Sequence, residues 1–394
     1  MKNKYELMAP AGNFPMLVAA VKAGADAIYF GLQEFSMRAN ANNFKVSELE
    51  KMREVCNQSP RRTKLYLTLN TIIYEEELKK LENLIKKVKG KVDAIICWDH
   101  SVIMYCKKYK IPFFISTQAS ISNTIEAKFY KKIGAKRVVL ARELNLKQIK
   151  EITKIIEVET FAHGAMCVAV SGRCFMSQFT HNKSANRGEC LQNCRRSYVI
   201  KDDSNKELRI ENSRVMSAKD LCSLPFIEEM KKAGIKSFKI EGRGRDPRYV
   251  SYVTKSYRKA LDKKLSKAEI IQEMNELKKV FNRDFSSGFF LGKPAKKDFS
   301  KVEHNNATEK KEFVGKVIHY FPKAEVATIK LSADIKVGDK IAVIGKTTGI
   351  EEFVIKSMEI ENKKVKIAKK GGEVGIKIPK IRKNDELYKI IKSK

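Results

Sequence analysis

The sequence predicts an α/β chain: a (β/α)₈ TIM-like barrel with a cysteine-bearing insertion, followed by a small C-terminal all-β barrel. Three observations predict it. Short apolar runs alternate with amphipathic helical stretches from residue 4 to about 260, as expected of βα units around a parallel sheet. Eight such runs occur, the number that closes a barrel. Beyond Phe313 the apolar period shortens to that of strands, with turn residues between them.

The predicted barrel strands are residues 6–9, 27–30, 64–69, 94–96, 113–116, 137–140, 160–163 and 237–240. Between them, Met16, Leu17, Ala20 and Val21 share one helical face and precede Gly24, a C-terminal stop. Leu78, Leu81, Leu84 and Ile85 repeat the pattern up to Gly90. The rhythm fails between strands seven and eight, where residues 164–234 carry the clustered cysteines. An insertion there follows the C-terminal end of a strand, where barrel enzymes build their sites. Residues 262–282 read as a charged helix, and the barrel region as a whole spans 1–290. A polar linker is expected over 291–312 and a small β-barrel over 313–394, with strands at 314–319, 325–331, 340–344, 352–358 and 364–367.

The 394 residues, 43% of them hydrophobic, are ample for a buried core. The start, MKNKYELMAPAGNF, lacks the roughly 7–15 apolar residues of a secretory signal. No later run approaches the roughly 18 apolar residues of a membrane helix. A cytoplasmic protein without a membrane partner is expected. A net charge of +33 favours a polyanionic partner, since lysine and arginine release counterions from phosphates. Lysine pairs such as Lys79-Lys80 and Lys369-Lys370 are equally compatible with a merely solvated surface.

Cys56, Cys97 and Cys106 are scattered among apolar stretches and read as core. The other five, Cys167, Cys174, Cys190, Cys194 and Cys222, fall in one segment with spacing C-x₆-C-x₁₅-C-x₃-C and then 28 positions to the last. In a reducing compartment such grouping points to metal rather than disulfides. Thiolates hold both zinc and iron–sulfur clusters, four per centre. The absence of C-x₂-C knuckles leans towards a cluster, and spacing alone leaves zinc, and the choice of four thiols from five, open.

The run Glu159, Phe161, Gly164, Ala165, Met166, Cys167, Gly172, Cys174, Met176 and Ser177 resembles the signature of the peptidase U32 family. The resemblance extends over the chain through Ala9-Pro10-Ala11-Gly12-Asn13, Tyr29-Phe30-Gly31, Met37-Arg38-Ala39, Ser116-Thr117-Gln118, Ala141-Arg142-Glu143, Lys219-Asp220-Leu221-Cys222 and Lys239-Ile240-Glu241-Gly242-Arg243. It implies a barrel with a β tail. Its branch most similar to this chain implies a [4Fe–4S] enzyme that hydroxylates the tRNA wobble uridine to 5-hydroxyuridine without oxygen, with prephenate as co-substrate. An electron- or oxygen-donor system is implied without being identified. On this resemblance the ligands are Cys167, Cys174, Cys190 and Cys222, with Cys194 as the alternative.

The family's other label, peptidase, asks for different chemistry. Neither a G-x-S-x-G elbow nor an H-E-x-x-H zinc motif occurs. A Cys167–His163 dyad at i, i+4 is the remaining route, with the other cysteines on a structural metal. A non-enzymatic RNA-binding protein is the third reading. For hydroxylation, His163 and Glu159, expected on one side of a strand, and Lys239 and Glu241 on the next, are the candidate acid–base groups. Each could equally be a satisfied buried polar residue or ion pair. Arg38, Gln118, Arg142 and Arg243 are the candidate substrate-binding residues, the arginines as carboxylate clamps. Gly12, Gly31 and Gly242 end predicted strands, either to admit a ligand or simply to turn the chain. No G-x-G-x-x-G or Walker motif supports a nucleotide cofactor.

Overall fold

The computed structural model describes residues 4–37, 42–60, 62–208, 216–378 and 381–393. Eight parallel strands form the wall of a barrel: β1 (Glu6–Ala11), β2 (Ala27–Phe30), β3 (Lys64–Leu69), β4 (Ala94–Cys97), β5 (Phe113–Ile115), β6 (Arg137–Val139), β7 (Glu157–Gly164) and β8 (Ser237–Ile240). Neighbours pair in chain order. The ring closes where β8 pairs with both β7, Ser237 opposite Glu159, and β1, Ser237 opposite Glu6. All eight predicted strands are present.

Alternation along each strand sorts the side chains into two layers. Met8, Tyr29, Tyr66, Ile96 and Phe114 fill the lumen, while Leu7, Ile28, Leu65 and Ile95 pack outward in the core shared with the helices. Helix α1 (Phe14–Lys22) starts where the Asn13 side chain accepts from the Met16 amide, with Pro15 in its first turn.

The lower lumen is charged. Arg137, at the start of β6, donates to Glu6 at 2.5 Å and Glu159 at 3.1 Å, and to Glu157 at 2.6 Å. Its guanidinium also lies 4.4 Å from the Phe114 ring. Although burial opposes its charge, these carboxylates hold the Arg137 guanidinium in its protonated form.

The helix expected over 262–282 is shorter at both ends, Lys267–Lys278, and a separate helix, Pro247–Asp262, precedes it. Asp246 caps one helix, Pro247–Asp262, and Ser266 with Glu269 caps a second, Lys267–Lys278. The serine cap gives the backbone a place to stop and restart. The expected linker is pinned to the barrel: the Ser300 amide donates to the Ser217 carbonyl at 2.6 Å and the Lys219 amide to the Asp298 carbonyl at 2.9 Å.

The C-terminal region is all-β, as expected, and is built on an eight-stranded antiparallel sheet. Its strands are β9 (Glu309–Phe321), β10 (Val326–Leu331), β11 (Lys340–Gly345), β12 (Gly349–Val354), β13 (Met358–Ile360), β14 (Lys363–Val365), β15 (Glu373–Lys377) and β16 (Glu386–Lys392). They run in the order β12-β11-β16-β9-β10-β15-β13-β14, and among the described residues the two end strands do not pair. The β12 edge is covered instead by α1. Ala19 packs with Ala342, Ile350 and Ile390, and Lys22 bonds the Thr348 carbonyl at 3.0 Å and pairs with Glu351 at 2.5 Å. A sheet edge shielded in this way is kept from pairing with another chain.

Candidate metal centre at the barrel mouth

The segment following β7 crosses the C-terminal end of the barrel. It is held there by polar contacts from residues adjacent to the thiols. Arg195 donates to the Met166 carbonyl, which precedes Cys167, and to the Ala218 carbonyl. The Asn186 side chain accepts from the Cys174 amide at 2.8 Å. Ser177 accepts from the Leu191 amide, next to Cys190, at 3.1 Å. Arg187 clasps Glu77 through two hydrogen bonds of 2.8 and 2.5 Å and lies over the Tyr74 ring, fastening the segment to the loop after β3. Each of these contacts fixes the backbone on one side of a cysteine.

Four thiols share this face. Burial raises the Cys194 thiol above its ordinary range; Arg195 opposes this, and the nearby Cys167, Cys190 and Cys174 sulfurs push it further up. Cys222 is elsewhere. It lies 3% exposed in the main core, with its sulfur 3.5 Å from Met274 Sδ and 3.7 Å from the Tyr257 hydroxyl. Of the expected ligands, Cys167, Cys174 and Cys190 share this face with the alternative, Cys194, whereas Cys222 is buried in the core. The short strand Asp220–Cys222 pairs antiparallel with β7, placing Cys222 opposite His163 and turning its thiol into the core. Among the described residues no three His, Cys, Asp or Glu side chains converge on the volume of one metal ion.

The candidate acid–base residues separate. The pairing of β7 with β8 slips between Lys239 and Ile240, so that Phe161 faces Lys239 while His163 faces Ile240. This bulge puts an extra residue into β7, and Glu159 and His163 do not share a side as expected. Glu159 is wholly buried in the lower lumen, held by Arg137 and by Lys239 at 3.0 Å. His163 packs against Tyr249 and Tyr257 of the helix Pro247–Asp262 and against Phe285. Burial depresses its pKa to about 3, with Glu241 opposing, so the ring is neutral at any ordinary pH. Burial also lowers the Lys239 pKa, opposed by Glu159. Lys239 pairs with Glu159 across strands and lies over the Tyr29 ring at 4.4 Å. Glu241 lies at the rim, its amide on the His163 carbonyl at 2.8 Å.

Arg142 and Arg243 have partners within the protein. Arg142 donates to the Ala165 carbonyl at 2.8 Å and lies 3.8 Å over the Phe161 ring, orienting the start of the cysteine segment. Arg243 donates to Ser36 at 2.8 Å and Thr68 at 3.0 Å inside the mouth. Gln118 bonds Ser116 and, at 3.1 Å, the Asn70 carbonyl, and a side chain at Gly172 would collide with it. Arg38 lies outside the described residues. Gly12 and Gly31 do permit a close approach, but by the protein itself: a Cβ at Gly12 would overlap the Arg243 carbonyl, and one at Gly31 the Arg243 guanidinium. Sequence reasoning missed Arg195, Asp220, Arg245 and Arg283, which meet around the rim of the mouth. Asp220 stood inside a quoted motif and Arg195 directly after Cys194, while nothing in its spacing marked Arg283.

These features define an α/β barrel protein whose C-terminal mouth is roofed by a four-thiol segment. Residues 12–300 match Peptidase family U32, and the chain belongs to that family. It is 40% identical over 412 residues to a collagenase of Porphyromonas gingivalis, with 99% of each chain covered. It is 41% identical over 402 residues to an uncharacterized protease of Methanocaldococcus jannaschii, with 97% of each covered. It is 36% identical over 356 residues to tRNA hydroxylation protein P1 of Bacillus subtilis, covering 87% of this chain and 84% of the relative.

Proposed function

We propose that the protein is an RNA-modifying enzyme that hydroxylates the tRNA wobble uridine to 5-hydroxyuridine, with prephenate as co-substrate and a [4Fe–4S] cluster on Cys167, Cys174, Cys190 and Cys194. The observation that carries this reading is the placing of four thiols on one face at the C-terminal mouth of the barrel, with polar contacts from neighbouring residues beside them. The relative named for tRNA hydroxylation supports the substrate class, and the +33 charge suits an RNA partner. A bound cluster supplies one-electron chemistry. The chain's own residues do the rest. A uridine must leave its stack to reach the mouth, where Gln118, Arg142 and Arg243 are already held in place by protein contacts. Lys239 and Glu159 keep the lumen beneath it filled and charge-balanced.

The relative named collagenase favours a second reading, peptide hydrolysis. That reading needs His163 beside a reactive thiol. His163 is instead 2% exposed, neutral, and enclosed by three aromatic rings. Nucleoside mass spectrometry of tRNA from cells with and without the gene separates the two. Loss of 5-hydroxyuridine on deletion is expected, together with about four irons per chain after anaerobic purification. An unchanged tRNA pool and gelatin cleavage by iron-free protein would overturn the proposal.

A further inference from the structure

Arg283 stands in the turn before the short strand Phe285–Ser286 and is 3% exposed. Its Nη2 donates to Gln192 Oε1 at 2.8 Å, but among the described residues its Nε and Nη1 have no hydrogen-bond acceptor. The facing carboxylate oxygen, Asp220 Oδ1, forms an ion pair with Nη1 at 3.6 Å and, among the described residues, accepts no hydrogen bond. On the other side, the Arg245 guanidinium lies 3.4 Å over the Phe281 ring, whose centroid is 4.9 Å from that of Arg283. Arg245 is only half-buried, and a Cβ at neighbouring Gly244 would meet open space. Arg195 completes the group. Buried N–H donors are almost always paired, so two unpaired donors on one buried guanidinium point to an absent acceptor.

The charges agree. Three guanidinium groups, Arg195, Arg245 and Arg283, face two carboxylates, Asp220 and Glu241. Burial lowers the Arg283 pKa to about 10, Asp220 opposing and the other two arginines adding to the fall. Burial raises that of Asp220 despite all three arginines. One positive charge remains over, which matches a single carboxylate better than a doubly charged phosphate. Gln192, which orients Arg283, stands between Cys190 and Cys194, so an anion here adjoins the four-thiol face.

We propose that Arg283 and Arg245 bind a carboxylate of the small anionic co-substrate at the rim of the barrel mouth. The assignment rests on the function proposed above and moves the clamp from Arg142 and Arg243 to a pair with donors to spare. Guanidinium binds a carboxylate through more than one N–H at fixed angles, which lysine cannot reproduce.

The test is calorimetric titration of the full-length holoprotein with prephenate, malonate and inorganic phosphate, for the wild type, Arg283→Met, Arg283→Lys and Arg245→Met. Both carboxylates are expected to bind, phosphate more weakly, and each substitution should weaken carboxylate binding by at least about tenfold. In turnover the variants should raise KM for the donor by a similar factor, with kcat at saturation, iron content and tRNA affinity retained. Arg245→Met alters a half-exposed residue and remains informative if the buried Arg283 variants fold poorly. Unchanged carboxylate affinity in Arg245→Met, or phosphate bound as tightly as prephenate, overturns the assignment. Carboxylate binding by a wild-type protein that makes no 5-hydroxyuridine would sink the functional reading while leaving this site standing.

Discussion

Cys194 and Cys222 lie 28 positions apart, and replacing each with alanine should give opposite outcomes. Cys222 is 3% exposed, and its sulfur touches Met274 and the Tyr257 hydroxyl. Removing it deletes one heavy atom from a packed core, comparable to losing a buried methyl, at a cost of about 1–2 kcal/mol. That corresponds to a fall in Tm of a few degrees, about 2–4 °C per kcal/mol for a large domain. Iron should stay at about four per chain. Cys194→Ala removes the thiol that sits among Cys167, Cys174 and Cys190. It should leave less than about one iron per chain, with little loss in the melting of the iron-free protein, because the site is only partly buried. The assay is iron content and visible absorbance after anaerobic purification, beside thermal melts of the same samples. Iron lost in Cys222→Ala but kept in Cys194→Ala would refute the assignment of the thiols.

Three further outcomes follow from the buried charges and close contacts. Burial opposes ionisation of Glu6, yet Arg137, Lys64 and Tyr66 hold its carboxyl down at about 2, against an ordinary value of 4.5. A depressed acid stabilises fully above its unfolded pKa and ceases to as pH falls from about 4.5 to 2, here on the order of 3 kcal/mol. Glu6→Gln should flatten the acid limb of stability against pH, and an unchanged limb refutes the ion cluster. His163, neutral down to about 3, is protonated in the unfolded chain near 6.5, so folding loses stability as pH falls through that interval. A ring resonance titrating near pH 6.5 in the folded protein would contradict its burial. Gly31→Ala drives a methyl into Ser36, Asn43 and the Arg243 guanidinium, which should cost about 1–3 kcal/mol; an unmoved urea midpoint would contradict that packing.

The barrel was legible because each strand is a short apolar run bounded by turn residues, and lumen and helix layers both want apolar side chains. The bulge in β7 was not. Nothing in Phe161-Ala162-His163 announces an extra residue, since a bulge is set by the partner strand's register. The same slip separated Glu159 from His163. The cysteine segment was legible as a metal candidate, but the burial of Cys222, paired to β7 with its thiol in the core, was not. Arg142 and Arg243 stood at strand ends as clamps should, and their donors are engaged by Ala165, Ser36 and Thr68. Arg283 lay in a turn where sequence offered only polar residues. In the tail, the strands 335–336, 373–377 and 386–392 went unread because short lysine-rich strands with one covered face carry little apolar signal.

The packing of α1 against β12 has a consequence for the newborn chain. Lys22 and Thr348 are 326 positions apart, and Ala19 meets Ile350 and Ile390. On the ribosome, where chains grow at roughly 5–20 residues per second, the outer face of the first barrel helix emerges early and waits for nearly the whole message to be read before its cover exists. Until then Ala19 and its neighbours stand open to chaperones or to other chains. Polypeptides that end before β12 would keep that face bare, so that the strand signals that synthesis has passed residue 354.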